Sequence, residues 1–293
     1  MGKTKNKRIN VVYYLMVLPI ALLFICLHTI PFLQGIFYSL TSWKGYGAWE
    51  FVGLSNYLQL FKDSQISTVY GFTFFLAISA TVLVNVVSLA LANGLNANIK
   101  WKNGLKAIYF LPYMLGILII GFIFNYIFAN VVPLAGQKLG IEALSVNILG
   151  TNKAWIGVLF VTVWQSAAFN TMIYLSGLQT VDKELYESAA LDGASRLQRF
   201  FKITFPLIAP FFTINVVLSA KNFLMSFDQI MSMTDGGPGI ATTTISVMIY
   251  KRGFTGGQFA YQSANAVMLF LIIAAISLIQ KTVLDRREVK INS

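Results

Sequence analysis

The sequence predicts an all-α membrane protein with six transmembrane helices, and three observations carry that expectation. The chain is 56% hydrophobic and only 11% charged, whereas a soluble domain carries about 25% charged residues. It therefore has too little polar surface to cover itself in water. Six apolar runs, 12–40, 69–94, 105–129, 155–177, 205–230 and 263–284, are long enough to span a membrane. Crossing ~30 Å of hydrocarbon takes ~20 such residues in a helix. Lysine and arginine fall in the segments between the runs, with a bias that alternates from one segment to the next.

The first run follows Lys3, Lys5, Lys7 and Arg8 and contains Pro19 and Pro31. It is longer than the bilayer is thick, which predicts a kink or a tilt. Its apolar stretch exceeds that of a secretory signal, and no small-x-small site follows, so it reads as an uncleaved span. Alternation of the six runs then puts these four residues on one side with Lys100, Lys102, Lys106, Lys183, Arg196, Arg199, Lys202, Lys281, Arg286, Arg287 and Lys290. The opposite side holds Lys44, Lys62, Lys138, Lys153, Lys251 and Arg252, and Lys221 lies within a span. The positive-inside rule places both termini and the loop at about 179–204 in the cytoplasm.

The formal charge of +11 does not indicate nucleic acid, because the basic residues end apolar runs and form no patch interleaved with aromatics. Cys26 is the single cysteine and His28 the single histidine. Neither a disulfide framework, a His/Cys metal site nor a histidine-centred triad can be built from them, and both read as packing residues. The two halves share no repeat, and no linker interrupts the chain, so residues 1–293 read as one membrane domain.

The loop between the fourth and fifth runs is the one long, charge-dense polar segment between two strongly apolar ones. Asp182, Glu184 and Glu187 come early in it, and Arg196, Arg199 and Lys202 late. That order complements a helix dipole. Ala189 and Ala190 favour helix, and Gly193 suits a left-handed turn ending it. A second short helix follows from about Ala194 to Thr204, and Pro206 suits the first turn of the next span. A loop lying on anionic lipid would be rich in bases alone, but this one balances acids against bases.

Glu187, Ala189, Gly193, Ile203 and Pro206 stand at the spacing of EAA, three residues, Gly, nine residues, I-x-L-P. Ser188 replaces the first Ala and Phe205 the Leu. The segment resembles the EAA loop of ABC-transporter permeases. Further on, Phe227, Asp228, Ile230, Met233, Thr234, Gly236, Gly237 and Pro238, then Tyr250 and Phe254, follow the pattern of the binding-protein-dependent sugar permeases, the maltose and glycerol-phosphate type. The resemblance implies the type I ABC importer permease fold. It also implies coupling to an ATPase through Glu187, Ser188, Ala189, Ala190, Asp192, Gly193 and Arg196.

The same resemblance implies a sugar path along the spans before the two motifs, at Thr162, Gln165, Ser166 and Phe169, and at Ser219, Asn222, Phe223 and Ser226. Each set has the spacing of one helix stripe. Hydroxyl and amide groups beside an aromatic ring suit a pyranose, although small polar stripes also serve helix packing in membranes. Lys221 points away from its stripe and shares a helical face with Asp228, which favours an inter-helix or inter-subunit contact.

The resemblance implies a second permease chain, two ATPase subunits that carry ATP and Mg²⁺, and an extracellular or periplasmic solute-binding protein. It implies a bacterial cell membrane as the location. Gly2-Lys3-Thr4 mimics the tail of a Walker A motif, but nothing precedes it, so no cofactor is expected in this chain. A non-sugar importer would share the EAA loop but generally not the Gly-Gly-Pro segment. An ion-coupled transporter would need acids deep in the membrane, whereas all 11 Asp and Glu lie in loops or near span ends. The topology predicts that Arg196→Cys is labelled by a membrane-impermeant thiol reagent only from the cytoplasm, and Ile240→Cys only from outside. The opposite labelling at either position breaks it.

Overall fold

The computed structural model describes residues 3–97 and 100–292, with side chains for all of these except 3–12, 102 and 283–292. The basic residues Lys3, Lys5, Lys7, Arg8, Lys102, Arg286, Arg287 and Lys290 thus lie outside the described side chains. Among the described residues the chain is helical, with one isolated antiparallel bridge, Thr41 to Phe51, as its only extended pairing. It divides into two compact units, Met1–Asp63 with Ile249–Leu269, and Ser64–Met248 with Phe270–Ser293.

In the first unit, α1 (Lys3–Phe24) runs through a wide π turn (Ile25–Thr29) into α2 (Ile30–Ser39), and Tyr13–Ser39 forms an apolar span. Cys26 is exposed, and the His28 ring stacks on Phe24 at 5.2 Å. The loop after α2 is held by a short helix, α3 (Ser55–Leu60), whose buried Asn56 donates through Nδ2 to the carbonyls of Ser39 and Thr41, both at 2.8 Å. Asp63 accepts from the Tyr261 hydroxyl at 3.2 Å and lies 3.6 Å from the Arg252 guanidinium.

The second unit is built on α4 (Ser64–Asn96), followed by α5 (Lys102–Met114), α6 (Ile117–Tyr126), α7 (Val132–Leu139) and α8 (Ala154–Leu178). The polar loop supplies α9 (Lys183–Leu191), α10 (Arg196–Arg199) and α11 (Phe205–Leu207). Then come α12 (Ala209–Leu224), α13 (Asp228–Met233) and α14 (Ile245–Tyr250), which crosses the unit boundary, and α15 (Phe259–Asn292), which both units share. The α4–α8 pair forms the core, with Leu76, Ala80, Val84, Val158 and Val161 almost wholly buried. Ala77 and Ala167 belong to the same buried cluster. Small residues let helix backbones approach, which is how helices associate where lipid is as apolar as leucine.

The π turns Ile25–Thr29, Ile127–Val131 and Phe200–Thr204 each end two residues before a proline: Pro31, Pro133 and Pro206. Proline lacks the N–H for the i−4 carbonyl, and its ring presses on that carbonyl. A widened turn relieves the clash without ending the helix.

Two expected spans need correction. The run 105–129 is not one helix: α5 stops at Met114, Gly116 is extended with ψ 142°, and the apolar span is Ile117–Leu139. Pro112 and the extended Leu115–Gly116 backbone break the ladder that hydropathy alone cannot see. The run 205–230 is also broken: Arg196–Leu207 and Ala209–Leu224 meet at a 71° bend at Ile208. Pro210 cannot donate to the carbonyl one turn back, so the span starts there rather than at Pro206, and it ends at Leu224.

Gly121 of α6 is buried against α13. A Cβ there would overlap the Ser232 hydroxyl and come within 2.5 Å of the Ser232 Cβ. Gly121→Ala is expected to destabilise the second unit by about 1–3 kcal/mol through overpacking, read as a lower unfolding midpoint of the purified complex. Ser232→Gly in the same chain should restore it. A midpoint unchanged in the single variant removes this contact from the core.

Candidate functional site

The polar loop is a rigid two-helix element. Asp182 caps α9, its Oδ1 accepting from the Glu184 N–H at 3.1 Å. The helix ends in a Schellman turn, with Ala194 N donating to Ala189 O at 2.9 Å and Gly193 N to Ala190 O at 3.1 Å. Gly193 sits at φ +77° with nothing within 4 Å of a Cβ, so only its torsion requires glycine. The next helix starts at once with a capping box: Ser195 Oγ accepts from Gln198 N at 3.3 Å, and Gln198 Oε1 from Ser195 N at 2.8 Å.

Both arms are pinned to the ends of the spans. The Tyr186 hydroxyl lies 2.9 Å from Thr204 Oγ1. Leu95, Leu175, Leu178, Val181 and Ile208 are buried in one cluster, with Tyr186, Ile203 and Phe211 packed on it. A displacement of α9 therefore reaches α4, α8 and α12 through packed side chains.

Of the coupling residues read from the sequence, Glu187, Ser188, Ala190, Asp192, Gly193 and Arg196 are exposed and Ala189 is half-buried. The structure brings them together on one short element. Leu191, absent from that set, is 90% exposed at the end of α9, and Leu197 and Phe201 are also bare. An apolar residue directly before Asp-Gly at the end of a polar helix was the available signal.

The expected path residues separate into two groups. Thr162, Gln165, Ser219 and Phe223 are buried within the chain. Thr162 Oγ1 donates to its own helix at Val158 O, 2.8 Å. Gln165 Nε2 reaches the carbonyls at the α5–α6 break, Leu115 O at 3.3 Å and Pro112 O at 3.5 Å. Ser219 Oγ donates to Asn170 Oδ1 at 3.0 Å, and Phe223 belongs to the main core. Ser166 and Phe169 are half-buried, with Phe169 stacked on Tyr113 at 5.1 Å, and Asn222 is exposed.

Ser226 is half-buried beyond the end of α12, its carbonyl accepting from Thr244 Oγ1 at 2.6 Å, so it is not on the same helix stripe. For the same reason Lys221 and Asp228 share no helical face: α12 ends at Leu224, and Asp228 opens α13. Both are exposed. Sequence reasoning missed Asn170, which joins α8 to α12 by accepting from Ser219 and, through its carbonyl, from Asn215 Nδ2 at 3.3 Å. It also missed Tyr113, the ring on Phe169.

The segment after α12 is held by threonines. Thr242 Oγ1 donates to Gly237 O at 2.6 Å, Thr243 Oγ1 to Gly236 O at 2.9 Å, and Thr234 and Thr242 hydroxyls lie 2.7 Å apart. Asn125 Nδ2 of α6 donates to Met233 O at 2.6 Å, which ties this turn to the third span.

Comparison with known proteins agrees with this architecture. The chain is 36% identical to the "Probable starch degradation products transport system permease protein AmyD" of Thermoanaerobacterium thermosulfurigenes, over 98% of this chain and 99% of that one. It is 37% identical to the multiple sugar-binding transport system permease protein MsmF of Streptococcus mutans, over 85% and 87%. A chain of a bacterial alginate ABC transporter, solved in complex with an alginate pentasaccharide-bound periplasmic protein, superposes with a TM-score of 0.84 at 22% identity, covering 98% of this chain and 99% of that one. That last likeness establishes the type I importer permease fold. Residues 88–289, from the last part of α4 through the pinned loop to α15, match the family of binding-protein-dependent transport system inner membrane components, and the chain belongs to it.

Proposed function

We propose that this chain is one of two permease subunits of an ATP-driven importer that moves a carbohydrate, supplied by a solute-binding protein on the outer side. The observation that carries the reading is the α9–α10 element: short, polar, exposed at Glu187, Asp192 and Leu191, yet locked to three spans by the buried cluster around Ile208. Such an element transmits a push without absorbing it. The relatives named for starch products and multiple sugars support a carbohydrate cargo, and the charge bias supports a cytoplasmic loop and cytoplasmic termini.

In this reading two separate ATPase subunits bind ATP and Mg²⁺ and seat α9. Their closure pushes the loop, and the spans rock as rigid bodies between inward- and outward-open states. A second permease chain covers the exposed apolar faces and Lys221. Sugar passes along Ser166, Phe169, Asn222 and Ser226. Thr162, Gln165, Ser219 and Phe223, buried behind them, fix the helices that present that surface.

Coupling is tested at Gly193. Valine at φ +77° costs about 1–2 kcal/mol in torsion alone, whereas asparagine tolerates the left-handed region. Gly193→Val should abolish transport and substrate-stimulated ATPase activity in an assembled complex, and Gly193→Asn should keep most of both. Normal stimulation in the valine variant removes the docking role.

The path is tested by uptake. Phe169→Ala and Asn222→Ala each remove a ring face or a hydrogen bond worth about 1 kcal/mol or more, and should reduce uptake several-fold with the complex intact. Lys221→Met should lower the yield of assembled complex and leave the choice of sugar alone. A change of selectivity in that variant puts Lys221 in the path.

A further inference from the structure

Behind the coupling loop lies a pocket of about 490 Å³, walled by the inner ends of α4 and α8 on one side and by α9 and α10 on the other. Its charge is one-sided. Arg196 and Arg199 line it, no acidic residue does, and neither guanidinium meets a carboxylate among the described residues. The neutral polar side chains of the lining have partners of their own. Tyr186 bonds Thr204, Thr204 Oγ1 approaches Arg199 O at 3.4 Å, and Asn93 Nδ2 donates to Leu89 O at 3.0 Å. The free donors are therefore the two planar guanidinium forks, which match the oxygens of a phosphate. Leu178 adds an apolar wall, and exposed Leu197 and Phe201 stand beside the arginines on the same loop.

We propose that this pocket binds a phosphate group, and that it does so at the level of the cytoplasmic headgroups. This rests on the inside placement of the loop argued above. Basic pockets between the cytoplasmic ends of spans are suited to anionic phospholipid, and the neighbouring apolar side chains suit its acyl chains. A phosphate held there would join the two arginines of α10 in the space beside the end of α4. The same oxygens could come from a soluble phosphate, and the two sources are separable by experiment.

The test uses the complete purified transporter and native mass spectrometry after exposure to phosphatidylglycerol. Wild type should retain the lipid. Arg199→Gln should retain about tenfold less, the loss of a charge-assisted contact, and Arg199→Lys should recover part of it. Lys202→Gln, an exposed cation on the same loop that does not line the pocket, should behave as wild type. If inorganic phosphate instead binds in an Arg199-dependent way while the lipid does not, the site stands and its ligand is soluble. Equal retention by wild type and Arg199→Gln of both probes, or equal loss in Lys202→Gln, overturns the pocket. Retention is read without reference to sidedness. A failure of the inside placement alone would therefore show as reversed thiol labelling with Arg199-dependent binding intact.

Discussion

Backbone N–H and C=O groups inside a hydrocarbon layer have no water to turn to, so each break in a spanning helix must be met by a protein donor or acceptor. The architecture of this permease follows from that requirement. The helices are broken repeatedly, at Leu115–Gly116, at Ile208 and after Leu224. The breaks at Leu115–Gly116 and after Leu224 are met by side chains: Gln165 takes the carbonyls of Pro112 and Leu115, Asn125 that of Met233, and Thr244 that of Ser226. Thr73 does the converse, accepting the Ile245 N–H at 3.0 Å. These polar residues look like decoration in a hydropathy profile. They satisfy the backbone groups that those two breaks leave open.

The bends in turn place the coupling element. A straight fifth span would carry its polar lead-in along the same axis. The 71° turn at Ile208 sets α10 and α11 across the end of the spans, where Ile203 and Phe211 pack with Leu178 and Val181. Ile208 itself is fully buried. The residue at the bend is thus also the centre of the cluster that joins loop to spans. A packed joint of this kind moves as a unit, because close-packed interiors switch between arrangements rather than deform.

Much of this was legible in the sequence. Composition and apolar run length gave the class and the number of spans, because burial in lipid is an additive property of residues. The helix and its glycine turn were legible in the loop, since apolar content, dipole order and a left-handed glycine act over four residues or fewer; the Asp182 cap and the Ser195–Gln198 box emerged only from the structure. The candidate path was only partly legible. A stripe at i, i+3, i+4 and i+7 assumes that the helix persists, and α12 does not reach Ser226.

Which side of each span faces the rest of the chain is a long-range property, and only the tertiary structure decided it. Gln165 and Asn222 looked alike as amides on apolar helices. One is buried on the carbonyls of a break 50 residues away, and the other is exposed. Asn170 drew no notice until Ser219, 49 residues on, proved to be its partner. Local rules fixed what each segment is, because hydrogen bonds within a helix turn, caps and apolar content depend on near neighbours. The roles of the polar side chains inside the spans depended on where other helices break, which no local pattern encodes.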